Sequence, residues 1–380
     1  MNITFLLDKL ISFPSVSGKS NKDIIDWVST FLRECGAEVD IISGEEGKSC
    51  LFARIGGQGC NESAVLFSGH LDVVPADPTD WTSNPFVVRE EDNKIYGRGS
   101  CDMKGFLACA LLLFEELKGK QITKPIHLAM TYDEETNMEG AKLLADWLKA
   151  RNYRTDLVWL GEPTMLEVVV AHKGVCDVVT KIKGVSTHSS SPQSGVNAVY
   201  LAADFVNWIQ QTQEEISAAP IKDSLFNPPY TTLNVGKISG GTSSNVVPDE
   251  SAVVWEYRLH PSDDEDIFWQ KYNAYWQKTL STYQGTFPSV SVSQKKHLQI
   301  PPFQTDPSFQ GISRLCQLVG KTHPQVASYG TEAPFFQQIG LPTLICGPGN
   351  IAQAHKVDEY VEIDQLNKCL EFMRAFACGR

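Results

Sequence analysis

Three short runs limit what this chain can fold into: SAVLFSGHLDVV at 63–74, IHLAMTY at 126–132 and LVWLGE at 157–162. Each is apolar or β-forming almost throughout, which is how a strand reads when both faces of its sheet are covered. Each also runs straight into polar, ionisable residues: His70 and Asp72, then Asp133, Glu134 and Glu135, then Glu162. Helical patterns lie between them, at 105–117 and at about 138–150. A first helix is expected over 21–36, where Ile24, Ile25, Val28, Phe31 and Leu32 recur at helical spacing. Strand and helix in alternation predict an α/β fold, with helices covering both faces of a mixed sheet.

The pattern changes after AHKG at 171–174. VCDVVTKIKGVS, TTLNVGKISGG and SAVVWEYRLHP alternate apolar and polar residues as half-exposed strands do, and 197–216 is an amphipathic helix. These predict an inserted α+β domain over 174–290. It would hold a four-stranded antiparallel sheet with two helices on one face, 197–216 and another near 264–281. Residues 307–320, a strand near 341–346 and a helix at 364–377 return the chain to the first layer. Residues 1–173 and 291–380 would then form one discontinuous domain. Such insertions are tolerated where the ends of the insert lie close together, and 380 residues suit two domains better than one.

With 42% hydrophobic residues and a net charge of -12, the chain can build a core but is poorly suited to nucleic acid or an anionic membrane. Ten cysteines spread from Cys35 to Cys378 without a CxxC pair. Cys109, Cys176, Cys316 and Cys369 sit among apolar residues and read as buried, reduced thiols of a cytoplasmic chain. The N-terminus meets charge at Asp8 and Lys9, too early for a secretory signal. The most apolar run, FLACALLLF at 106–114, is about half the length of a membrane crossing.

Three adjacent carboxylates at a strand end need an explanation. A solvated acidic turn is one; a metal site is the other, since a cation relieves repulsion that burial would worsen. Open α/β sheets keep their sites outside the carboxyl ends of their strands. His70 and Asp72 are two apart on an extended end and point the same way, and a carboxylate is the usual holder of a ligating imidazole. A capped core histidine or a turn would explain them too. Asp102 in GRGSCDMKG fits a ligand or a helix cap. Glu162 follows a strand in WLGEPT, and His355 follows LPTLIC and a glycine-rich turn. Two divalent ions about 3.5–4 Å apart need a bridging ligand and others on each ion. Imidazole and carboxylate without thiolate suit zinc, cobalt or manganese better than a closed structural zinc. A spare carboxylate beside such a centre can serve as general base.

As a set, SGHLDVVP, GRGSCDMKG, the DEE of TYDEET, GEPT and the AHK near the C-terminus resemble the M20 family of metallopeptidases and amidohydrolases. The resemblance runs through nearly the whole chain. It implies that His70, Asp102 and Glu162 hold one zinc and that Asp102, Glu135 and His355 hold the other, with Asp102 bridging and cobalt possible in place of zinc. Asp72 would orient His70. Glu134 would take a proton from the attacking water and pass it to the leaving amine. GEPT, THSS, TEAPFF and GPGNIAQAHKVDEY are most similar to members that remove the acetyl group from N2-acetyl-L-ornithine, giving L-ornithine and acetate for arginine synthesis. Desuccinylation of N-succinyl-diaminopimelate, or a broader N-acyl-amino-acid or dipeptide hydrolysis, is the alternative within the family. A non-catalytic binding protein of this fold would have lost Glu134 or a ligand, and none is missing.

The resemblance bears on the inserted domain as well. His188 in VSTHSSSP reads alone as a surface histidine; the family implies that it reaches a partner subunit's site and steadies the tetrahedral oxyanion. A homodimer through the inserted domain is therefore expected. Arg258 in WEYRLHP suits a bidentate clamp on a substrate carboxylate or an ion pair within the chain. Asn245 in SGGTSSNVVPDE suits a donor to the oxyanion or substrate, or a turn. Thr331 and Glu332 in YGTEAPFF sit on an expected pocket loop, Glu332 as partner to a substrate ammonium or as a helix cap. The serines at 189–191 lack the GxSxG elbow of a serine hydrolase. GKISGG and GPGN lack a phosphate-loop ending, so no nucleotide cofactor is implied.

Overall fold

The computed structural model describes residues 1–57, 64–122 and 124–377; Ser63, where the first strand was expected to begin, and Cys378 lie outside them. The chain divides into two compact units, Met1–Ala171 with Gln304–Val326 and Thr331–Arg380, and His172–Phe303 with Ala327–Gly330.

The larger unit is built on a nine-stranded mixed sheet. At its centre Val65–His70 runs parallel to Ile126–Thr131 on one side and Leu157–Leu160 on the other, and Thr343–Ile345 runs parallel to Leu157–Leu160. All four strands are buried along their length, as continuous apolar runs require. Ser49–Ile55 and Glu38–Ser43 extend the sheet antiparallel on one flank, and Val169–His172 pairs antiparallel with Thr343–Ile345 on the other. The alternation of side chains across each strand builds two cores. Val65, Phe67, Leu128, Met130 and Trp159 face the helices Ile3–Ile11, Gly105–Leu117 and Ile363–Ala377, while Leu66, Ala129 and Val158 face Leu144, Leu148 and Phe336. Helix Gly105–Leu117 is buried from Gly105 to Phe114, which accounts for its lack of a polar face. Register places His70 opposite Thr131 and Ser68 opposite Leu160, so the carboxyl ends of the central strands emerge along one edge.

The smaller unit holds a four-stranded antiparallel sheet in the order Thr232–Gly240, Glu250–Leu259, Gly174–Lys183, Ser291–Ile300. Helices Ala198–Ser217 and Glu265–Gln284 pack on it through Phe205, Phe268, Tyr272 and Trp276, against Trp255 and Tyr257 of the sheet. Asn197 starts the first helix by accepting from the Val199 and Tyr200 amides, and Asp264 starts the second by accepting from Asp266. The fourth strand lies beyond the end expected at 290, and the unit runs from His172 to Phe303 rather than 174–290. SVSQKKHLQI is an edge strand, exposed over most of its length, and its polar character conceals its pairing with Gly174–Lys183.

Among the described residues no helix is long and apolar enough to cross a membrane. Their cysteines are all free and buried, Cys109, Cys176, Cys316 and Cys369 included.

Candidate metal centre

His70 ends the central strand and is wholly buried. Its Nε2 lies 3.0 Å from Asp102 Oδ1, and its Nδ1 lies 2.9 Å from the Asp72 carbonyl and 3.6 Å from the Asp72 carboxylate. The same carboxylate accepts from Ser17 Oγ at 2.6 Å and from the Glu134 and Glu135 amides at 3.2 and 3.3 Å. Asp72 thus orients the imidazole and also ties down the neighbouring acidic turn.

That turn sends its three carboxylates to different surroundings. Asp133, at φ 56, turns the chain out of the strand, and its Oδ2 meets Lys48 Nζ at 2.6 Å while Oδ1 accepts from the Gly18 amide at 2.7 Å. Lys48 and Asp133 are 5% and 2% exposed, so this is a buried, hydrogen-bonded ion pair; removing one partner alone costs about 3–5 kcal/mol. Among the described residues no lysine pairs with Glu134 or Glu135. Glu134 Oε2 lies 3.9 Å from His70 Nε2, and Glu135 Oε2 lies 2.9 Å from His355 Nε2.

Glu162 follows strand Leu157–Leu160 by way of Gly161, whose missing Cβ would stand 2.0 Å from the Phe106 ring. Only glycine allows so close an approach there. Glu162 is buried, and its Oε1 has no hydrogen-bond partner among the described residues. Asp102 lies in the turn between Gly99, at φ 82, and helix Gly105–Leu117, and faces two ways: Oδ1 towards His70, and Oδ2 towards His355 Nε2 at 3.4 Å. Ligand atoms of His70, Asp102 and Glu162 lie within 4.8 Å of one another, as do those of Asp102, Glu135 and His355, and those of His70, Glu134 and Glu135.

The electrostatics follow from this crowding. Burial and the charges of Glu162, Glu135 and Asp102 push Glu134 well above the carboxylate range, against the pull of His70. Burial and Asp102 raise Glu135 to about 7, and burial with Asp102 raises Glu162 well above the usual carboxylate range. Burial would also raise Asp102, but its bonds to His355 and His70 hold it low. Bonds to Asp102 and Glu135 raise His355 to about 10, although its ring is half exposed. Carboxylates raised by burial and by one another, together with an orphaned Glu162 oxygen and an all-imidazole, all-carboxylate donor set, fit a pair of divalent cations.

Thr331 and Glu332 belong to the same unit and are fully buried. Thr331 Oγ1 accepts from the Ala333 amide at 3.1 Å. Glu332 begins helix Ala333–Gln338 but does not cap it, and among the described residues no hydrogen bond of good geometry reaches either carboxylate oxygen. Burial raises it to about 7, a rise tempered by the nearby Thr131 hydroxyl and His70.

His188, Asn245 and Arg258 lie in the smaller unit. Thr187–His188 pairs with Val246–Val247, and the Ser189 amide donates to the Asn245 carbonyl at 3.0 Å, so His188 and Asn245 share one short ribbon. His188 is exposed, and its Nδ1 accepts from the Ser190 amide at 3.1 Å. A neutral ring so held carries its proton on Nε2, where it can donate. Asn245 Oδ1 accepts from Ser243 Oγ at 2.6 Å, and Arg258 pairs with Glu256 at 2.8 Å. Sequence reasoning passed over Lys48 and Glu359. Lys48 carries no motif; Glu359 lies inside the GPGNIAQAHKVDEY stretch, where nothing sets it apart from its neighbours.

The sequence from residue 66 to 378 matches peptidase family M20/M25/M40. The chain is 35% identical to an acetylornithine deacetylase of Shigella sonnei over 361 residues, 93% of this chain and 91% of that relative. Among solved structures it is similar to an M20 family metallo-carboxypeptidase from Sulfolobus solfataricus, at 20% identity and a TM-score of 0.75, covering 99% of this chain and 98% of the other. A dinuclear metal binding peptidase of the M20 family from Bacillus subtilis is similar at 14% identity and a TM-score of 0.65, covering 99% and 96%. At these identities the two structures speak for the fold, whereas the family match spans the acid–imidazole cluster itself. This chain belongs to peptidase family M20/M25/M40 and is a metallohydrolase.

Proposed function

We propose that the protein hydrolyses N2-acetyl-L-ornithine to L-ornithine and acetate, for arginine synthesis, in the cytoplasm. The observation that carries the chemistry is the two-faced Asp102, shared by two groups of ligand atoms with Glu134 beside them. His70, Asp102 and Glu162 would hold one ion, and Asp102, Glu135 and His355 the other, with zinc as the metal and cobalt able to replace it. Ions held there supply Lewis acidity and lower the pKa of water towards neutrality. Asp72 keeps His70 in register. Glu134 takes the proton of the attacking water and delivers it to the amine nitrogen as the acetamide C–N bond breaks. His188 Nε2–H donates to the oxygen on which charge develops, a bond that strengthens in the transition state. In this reading the larger unit is the catalytic domain and the smaller one pairs two copies into a homodimer, each lending His188 to its partner.

The substrate rests on the likeness to the Shigella sonnei deacetylase. Arg258 would clamp the α-carboxylate, Asn245 would donate to the acyl oxygen, and the unpartnered Glu332, shaped by the loop at Thr331, would meet the side-chain ammonium. The test is steady-state hydrolysis by the chain reconstituted with zinc or cobalt, offered N2-acetyl-L-ornithine, N-succinyl-LL-diaminopimelate and a plain dipeptide. We expect a preference of about a hundredfold or more in kcat/KM for acetylornithine, about 2.7 kcal/mol of transition-state discrimination. Faster turnover of either rival would keep the metal chemistry and overturn the substrate.

A further inference from the structure

Glu359 is 1% exposed, and its carboxylate is spent wholly on the segment that carries Asp102. Oε1 accepts from the Cys101 amide at 2.9 Å and from the amide of Asp102 itself at 3.0 Å. Oε2 accepts from the Gly99 amide at 3.0 Å and from Arg98 Nη1 at 2.7 Å. The Glu359 carbonyl takes two more donors from the same segment, the Gly97 amide at 2.9 Å and Ser100 Oγ at 3.3 Å. Without that carboxylate, the buried amides of Gly99, Cys101 and Asp102 itself lose their acceptor.

The other end of the connection is His355, four residues earlier in the chain. Its ring is half exposed, its backbone stands at φ 64, and its Nε2 meets Glu135 at 2.9 Å and Asp102 at 3.4 Å. Asp102 and His355 are far apart in sequence, yet they lie within 4.8 Å of each other and of Glu135. We infer that Glu359 is a positioning residue that locks the Asp102 segment to the His355 segment, so that both side chains reach the same divalent ion. This rests on the reading of Asp102 and His355 as metal ligands. A ligand backbone fixed by a buried carboxylate presents its side chain already oriented, and losing such outer support typically weakens metal binding about 10- to 100-fold.

The test is a zinc titration of the full chain against a competing chelator, with the melting temperature of the metal-free protein measured alongside. Glu359→Gln keeps the shape but offers an NH2 where one pair of donors needs an acceptor. One of the two ions should then bind about 10- to 100-fold more weakly, while Arg98→Lys, which leaves the Cys101 and Asp102 bonds in place, should bind both nearly as wild type. Wild-type affinity for both ions in Glu359→Gln, with only a lower melting temperature, would overturn the inference, as would equal weakening in Arg98→Lys. Should Glu359→Gln fail to fold, the shorter Glu359→Asp should show the same loss of one ion, and undiminished binding there would be equally contrary. A wild-type chain that binds no zinc would instead bring down the metal-ligand reading on which the inference stands.

Discussion

At the carboxyl ends of its parallel strands the larger unit closes over Asp72, Asp102, Glu134 and Glu162, whereas the smaller unit closes its sheet over Phe205, Trp255, Tyr257, Tyr272 and Trp276. Both are sheets with helices packed against them. In the smaller unit the rings stack and meet edge to face, Trp255 stacked on Tyr272 at 6.0 Å and Phe205 edge to face with Tyr272 at 5.7 Å. Such pairs contribute about 0.5–1.5 kcal/mol each beyond the area they bury. In the larger unit the buried carboxylates repel, so folding must hold them in place by other means: Lys48 on Asp133, Ser17 and two amides on Asp72, and the Asp102 segment on Glu359. One unit is stabilised by what it buries; the other is braced against it. That asymmetry is what a site built for cations looks like before charge is compensated.

The comparison can be broken most sharply at Glu134. If Glu134 is the proposed base and not a ligand, Glu134→Gln should lower kcat about 10²–10⁴-fold while bound metal stays at the wild-type level. Unchanged kcat would assign the base elsewhere. In the other unit, Trp255→Ala should cost about 3–5 kcal/mol in urea unfolding and leave metal stoichiometry intact. Loss of metal in that variant would mean that the two cores are not independent.

Acid acts on both units alike, because each buries a histidine held neutral. His127, against the Tyr153 hydroxyl at 2.6 Å, is lowered to about 4 by burial and by Arg54; His172 is lowered to about 4 by burial. Both folded values lie below the ordinary one near 6.5, so the unfolded chain binds more protons between them and stability rises with pH. Each contribution is fully present above about 6.5 and is lost as pH falls towards 4, about 3 kcal/mol per histidine. Urea midpoints from pH 7 to pH 4.5 should fall less steeply in His127→Gln than in wild type. Equal slopes would show that His127 does not titrate in this window. The smallest effect is expected at Arg258: its half-exposed pair with Glu256 is worth about 0–1 kcal/mol, so Arg258→Ala should barely change stability. As a substrate clamp it should raise KM about tenfold, roughly 1.4 kcal/mol; an unmoved KM would leave it a surface ion pair.

The central strands were legible because burial on both faces erases alternation, and VLFSGH, IHLAMT and LVWL stand out as unbroken runs. Strand Ser291–Ile300 was not: at a sheet edge, with Lys295 and Lys296 at its middle, it carries too little apolar pattern to announce its partner. The carboxylates were visible at the strand ends, but not how they divide. Nothing in DEE says that Asp133 turns away to a buried Lys48 while its neighbours face the imidazoles, since that depends on a positive φ and on a loop some eighty-five residues earlier. Glu332 reads in sequence as a partner to a substrate ammonium or as a helix cap; the cap bond is absent, and the side chain is buried with no hydrogen-bond partner among the described residues.

The account turns on Asp102 facing both His70 and His355. The direct measurement is metal analysis of the purified chain after equilibrium with zinc, wild type beside Asp102→Ala, with circular dichroism to establish that both are folded. Two ions per wild-type chain and loss of both from the variant is the predicted result. A variant that keeps two ions, or a wild type that binds only one, would contradict a shared carboxylate at the centre of the site.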